Sequence, residues 1–168
     1  MTTEGPRWFS GSAGGTADDL IAAWTQVIEQ APYNAEAHFR RGNELSNQGR
    51  YETAIEDFNR VVALEPQNAQ AYNNRGVAYL CTGAFQRAAE DFTRAAELNP
   101  RYRDAHHNRG LARAELGDLD GAIADLSRAI DLDPDFIHAY RHRSVLLHRR
   151  GDIAAAERDY QHVRDLSG

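Results

Sequence analysis

A period of 34 residues runs through this chain without insertion. Rows of that length start at Ala35, Ala69, Arg103 and Ile137, and residue types recur down their columns. Gly42, Gly76 and Gly110 share one column, with Ser144 in the last row. Gly49, Gly83, Gly117 and Gly151 share a second, and Ala54, Ala88, Ala122 and Ala156 a third. Pro66, Pro100 and Pro134 close three rows, and Pro32 stands one period earlier. A fixed period of this size means one repeated supersecondary unit, each copy of which needs a neighbour to bury its apolar surface.

Within a row the unit reads as two helices. Ala69 to Cys81 and Phe85 to Leu98 carry apolar residues at a helical spacing, and no alternating strand pattern competes. Gly83 follows the first helix, where a left-handed cap favours glycine. Pro100 stops the second helix and restricts Asn99. The fold class is therefore all-α.

The pattern resembles the tetratricopeptide repeat, over roughly residues 17 to 168. The resemblance implies antiparallel helix pairs stacked into a right-handed superhelical solenoid with a concave groove. It also implies a close helix crossing in which Gly76 faces Ala88. The chain departs from the family at a bulky first-helix slot, which holds His38, Tyr72, His106 and Tyr140. The organisation expected is a flexible segment at 1–15, a single helix or half repeat at 16–34, and repeats at 35–68, 69–102, 103–136 and 137–168. In the half repeat, Leu20, Ile21, Trp24, Val27 and Ile28 match second-helix columns, and Thr16 stands as N-cap. No first helix covers it, because Gly5, Pro6, Gly11, Gly14 and Gly15 oppose one. Trp8 and Phe9 are left to fold back over that face, to bind another chain, or to stay unattached. At the other end, Glu157 and Arg164 replace apolar residues in columns that normally meet a following repeat, which predicts a polar terminal face.

Composition narrows the chemistry. The 168 residues hold one Cys, excluding a disulfide framework. All 19 basic residues are Arg, so Schiff-base lysine chemistry and a P-loop lysine are excluded. A formal charge of -6 argues against nucleic-acid binding. The longest apolar run is too short to span a membrane, and the first residues do not form a secretory leader. The location expected is cytoplasmic. No catalytic triad, Gly-rich phosphate loop or zinc-protease helix is present, so no enzyme activity, cofactor or metal is assigned.

Two constellations stand out. Arg41, Arg75, Arg109 and Arg143 occupy one first-helix column, and Asp57, Asp91, Asp125 and Asp159 follow them by 16 residues in the second helix. That coincidence predicts a structural ion pair in every repeat, since the Arg fork matches a carboxylate. His107, His138 and His142 fall on neighbouring inward columns. They suit peptide recognition, or less simply a zinc or nickel site.

The resemblance places the concave wall on the first helices. Carried over by column, it takes Phe39, Asn43 and Asn47 in the first row, and Asn73, Asn74, Val77 and Leu80 in the second. The third row supplies His107, Asn108 and Leu111; the fourth supplies His138, Arg141, His142, Val145 and Arg149. Asn side chains donate and accept, which suits a peptide backbone. The fourth row is basic, so an acidic segment of a protein or peptide partner fits there. The function expected is a non-enzymatic protein-interaction scaffold that binds a segment in this groove. The alternatives are self-assembly through the N-terminal half repeat with Trp8 and Phe9, giving a homo-oligomer, and a His-based metal or catalytic role.

Overall fold

A computed structural model describes residues 16–167. Trp8 and Phe9 lie outside them. The described residues form nine helices and no strand: α1 (Ala17–Gln30), α2 (Ala35–Asn47), α3 (Tyr51–Leu64), α4 (Ala69–Cys81), α5 (Phe85–Leu98), α6 (Arg103–Glu115), α7 (Leu119–Leu132), α8 (Ile137–Arg150) and α9 (Ile153–Ser167). They make an all-α solenoid of stacked antiparallel pairs, divided into two units. In the first, α1 packs on α2, and α2 pairs with α3. In the second, the pairs are α4 with α5, α6 with α7 and α8 with α9. There α6 stacks on α5 and α8 on α7, and the first helices α4, α6 and α8 are neighbours.

Local chemistry sets the helix ends. Thr16 and Asp19 form a reciprocal capping box on α1. Asn34 and Asn68 cap α2 and α4 by accepting from the Ala37 and Ala71 amides. Gly49, Gly83, Gly117 and Gly151 each take φ between 75 and 92° after a first helix. A side chain there would be strained, so the column is glycine in every row.

Packing then selects residue size. A Cβ added at Gly42 or Gly76 would lie 2.9 Å from Phe58 or 2.7 Å from Phe92. At these two positions the glycine lies against the ring of its own second helix, and at Gly110 an added Cβ would meet both the Ala122 carbonyl, in the Ala88 column, and the Leu126 side chain at 3.1 Å. Phe58, Phe92 and Leu126 are fully buried against the glycine column. The last row breaks this fit. Ser144 brings a Cβ into the space the ring needs, and Tyr160, in the same column as those three, is 55% exposed. Glu157 and Arg164 are exposed as expected, but Val145 and Ile153 join Tyr160 at 57% and 53% exposure. The terminal face is thus apolar as well as charged.

Polar side chains complete the core. Arg41, Arg75, Arg109 and Arg143 each fork onto Asp57, Asp91, Asp125 and Asp159, with Nε and Nη2 donating over 2.6–2.8 Å. The remaining Nη1 of Arg41, Arg109 and Arg143 donates to Thr25, Thr93 and Ser127 on the second helix before it. One guanidinium thus ties its own hairpin and the stack beneath it. His38 and His106, in the bulky slot, meet the carbonyls of Pro32 and Pro100 at 3.1 Å. His38 also meets Asp57 at 2.8 Å.

Burial pushes the Asp91 carboxyl above its usual range, against the pull of Arg75. The bond to Asp91 raises Arg75, so the guanidinium gains from the pair while the carboxylate bears its desolvation. Removing one partner is a different matter. Asp91→Ala removes the carboxylate from a half-buried guanidinium and should cost about 3 kcal/mol. Arg75→Ala combined with Asp91→Ala should cost clearly less than the two single changes summed. Denaturant melts of the four proteins check this; strict additivity would reject the coupling.

Candidate functional site

The first helices of the second unit present one continuous set of side chains. Its N-terminal half is polar. Asn73 of α4 is buried, Asn74 half-buried, His107 of α6 buried and Asn108 half-buried. His142 of α8 places Nδ1 2.9 Å from His107 Nε2. His107 Nδ1 lies 3.2 Å from Asn108 Oδ1. Asn108 Nδ2 donates to Asn73 Oδ1 over 3.1 Å, and Asn73 Nδ2 to Asn74 Oδ1 over 3.3 Å. An amide oxygen only accepts, so His107 carries its proton on Nδ1 and accepts on Nε2. His142 must then donate from Nδ1. The bonds all run one way, from α8 through α6 to α4, across three repeats.

This arrangement needs a neutral His107, since its Nε2 must accept. Burial pushes His107 down to about 4; the Asn108 bond opposes that, and the nearby His142 and His138 add to it. Burial also lowers His142, helped by His138 and Arg141. Phe136 packs edge-on to His107 with ring centres 4.9 Å apart. His138 is exposed and stays outside the chain. Among the described residues, no group of three or more His, Cys, Asp or Glu is arranged to hold a metal ion.

The C-terminal half of the same helices is apolar. Leu80, Leu111, Val145 and the edges of His142 and Arg149 line a trough of about 560 Å3, together with Phe85 and Ala114. Of the groove residues read from sequence, Leu80, Leu111, His142, Val145 and Arg149 meet here. Val77 instead packs, with part of Leu80, on the Ala88, Phe92 and Ala112 core. Arg141 is exposed. In the first unit, Phe39 stacks edge-on to Phe58 at 6.2 Å and belongs to the core of its own hairpin. Asn43 is half-buried and Asn47 exposed. Phe85 is not among the groove residues expected from the sequence, because it lies on a second helix. Its column, Tyr51, Phe85, Leu119 and Ile153, is large and apolar in every row, and that was the available signal.

The His107 shift has a consequence for stability. A base whose folded pKa is depressed binds fewer protons folded than unfolded. Its contribution is complete above the ordinary His value near 6.5, and is lost as pH falls from there toward about 4. The expected loss from this group is at most roughly 3 kcal/mol. His107→Gln keeps a neutral hydrogen-bonding side chain and should lose less stability than wild type between pH 7 and pH 4.5 in urea melts. Identical pH dependence in the two proteins counts against a buried neutral His107.

Comparison with known proteins agrees with this architecture. A model described as TPR repeat matches residues 42–83 and 110–151. Two tetratricopeptide repeat models match 69–102 and 23–56. A crystal structure of MamA is 28% identical with a TM-score of 0.86, over 90% of this chain and 88% of that one. MamA from Desulfovibrio magneticus RS-1, at 23% identity and a TM-score of 0.86 over 91% and 86% of the two chains, speaks for the fold alone. The first TPR of Spaghetti bound to the HSP90 peptide SRMEEVD is 29% identical with a TM-score of 0.69, over 70% of this chain and 93% of that one. No curated protein sequence matches significantly. No helix among the described residues is long and apolar enough to cross a membrane. With the 34-residue period, the paired helices and the matches along the array, the chain belongs to the tetratricopeptide repeat family, a fold suited to protein–protein interaction.

Proposed function

We propose that the chain is a non-enzymatic interaction module that assembles with copies of itself through α1, the half repeat. The observation that carries this reading is the state of α1. Leu20 and Val27 stand in columns that complete repeats bury entirely, at Ala54, Ala88 and Ala122 and at Val61, Ala95 and Ala129. In α1 both are only half-buried, and no residue of the helix is buried. Ile21 and the α2 side are in use against the Leu45, Ala54 and Phe58 cluster. The opposite side is where a complete repeat has its first helix. An apolar helix side half open to water favours a protein partner. Trp8 and Phe9, shortly before α1, supply further apolar groups for the contact. The likeness to MamA along 90% of the chain supports reading the whole array, not one repeat, as the working unit.

Sedimentation velocity over a wide concentration range tests this. The mass of the wild type should rise with concentration, and Leu20→Arg with Val27→Arg should hold it at one copy without loss of helicity. A wild type that stays monomeric at tens of micromolar defeats the reading.

A second reading has its own support. The trough of Leu80, Leu111 and Val145, the polar chain beside it and the exposed Arg141 and Arg149 suit an extended or short helical peptide with an acidic part. The likeness to a TPR domain solved with a bound peptide adds to it. Peptide-library selection should give an acid-rich consensus on wild type that Leu111→Asp loses and Arg149→Glu weakens. Equal recovery on wild type and Leu111→Asp removes the trough as a binding site.

A further inference from the structure

The last repeat ends in a cleft between α8 and α9, lined by Val145, His148, Arg149, Ile153, Glu157 and Tyr160. More than half of the Val145, Ile153 and Tyr160 surface is exposed, whereas Leu126, one period before Tyr160, is fully buried. The second unit itself displays what such a cleft holds. The equivalent position beside α4 and α5 is filled by α6, and that beside α6 and α7 by α8. The α8/α9 cleft is thus built for one more helix with an apolar side.

Charge identifies which helix. His148 and Arg149 edge the cleft from α8, against the single acid Glu157 from α9. Over residues 137–168 six Arg face four acids. Helix α1 is the opposite: it carries Asp18, Asp19 and Glu29, with no basic residue. It also keeps Leu20 and Val27 only half-buried. We infer that α1 of one copy seats in the α8/α9 cleft of a second copy, joining the chains head to tail. This rests on the self-assembly reading above and names the other half of the contact. Pairing like faces would oppose two basic rims or two acidic helices, and the head-to-tail contact relieves both. Such a contact is heterologous. Each added copy leaves one α1 and one cleft unused, so growth continues beyond two copies. Salt should weaken it by screening the rim.

Two variants and their mixture test the inference. Leu20→Arg with Val27→Arg blocks the helix. Ile153→Glu with Tyr160→Glu blocks the cleft on an already exposed surface. The wild type should grow past two copies with concentration. Each variant alone should stay monomeric, with unchanged far-UV circular dichroism. Mixed one to one, they should form a complex of two copies and no larger species, because each contributes one intact face. That complex also proves both variants folded. A cleft variant that assembles like wild type overturns the inference while leaving self-assembly through α1 standing. Wild-type assembly that stops at two copies, or a mixture that forms no complex, overturns it as well. A wild type monomeric at every concentration removes both this inference and the reading beneath it.

Discussion

The guanidinium–carboxylate fork, made once per repeat, is the constraint on which this array depends. Each Arg lies on a first helix and clamps an Asp on the second, which sets the depth and angle at which the hairpin closes. In three repeats a further nitrogen reaches a Thr or Ser on the preceding second helix, so the same group registers the stack. Burying these charges costs desolvation energy, and an apolar pair would serve stability as well or better. An apolar pair, however, has no fork geometry with which to single out one arrangement of the two helices. The repeats support their carboxylates differently. Asp57 also takes a bond from His38, and Asp125 one from Arg113.

Once the hairpin is closed by the fork, the small residues follow. Glycine on the first helix admits the Phe58 and Phe92 rings, which fill the widest part of the pair. The fourth repeat keeps its fork but not this fit. Ser144 takes the glycine position, and Tyr160, in the ring column, is more than half exposed. A solenoid always leaves two faces unstacked. Here neither face among the described residues is wholly polar. The acidic α1 and the basic-rimmed cleft lie at those two faces, the cleft beside the serine that takes the glycine position in the last row.

The polar chain on α4, α6 and α8 has a different origin. His107 and His142 lie one full repeat plus one residue apart, and so do Asn73 and Asn108. A column-by-column reading puts such residues near one another but not in contact, because it compares equal positions. Contact arises from the offset between neighbouring first helices as they stack. The direction of the hydrogen bonds, and hence the neutral state of His107, follows from one amide oxygen that only accepts. It is not written in residue types. The third histidine, His138, sits four residues from His142 on the same helix and still stays outside. It stands in the first turn of α8, exposed and with its ring 5.9 Å from that of Phe136.

What the sequence by itself determined is everything periodic. Helix pairs, their turns at Gly49, Gly83, Gly117 and Gly151, and the Arg and Asp columns are all legible, because a repeated unit states each local rule several times. The tertiary structure alone decided what depends on distance within and between neighbouring helices. It took Phe39, Val77 and part of Leu80 into hairpin cores. It gathered Leu80, Leu111, His142, Val145 and Arg149 into one trough with Phe85. It also left an apolar cleft where Glu157 and Arg164 had suggested a polar end. The physical reason is the same in each case: a helical period says which way a side chain points, whereas burial depends on how closely the next helix approaches.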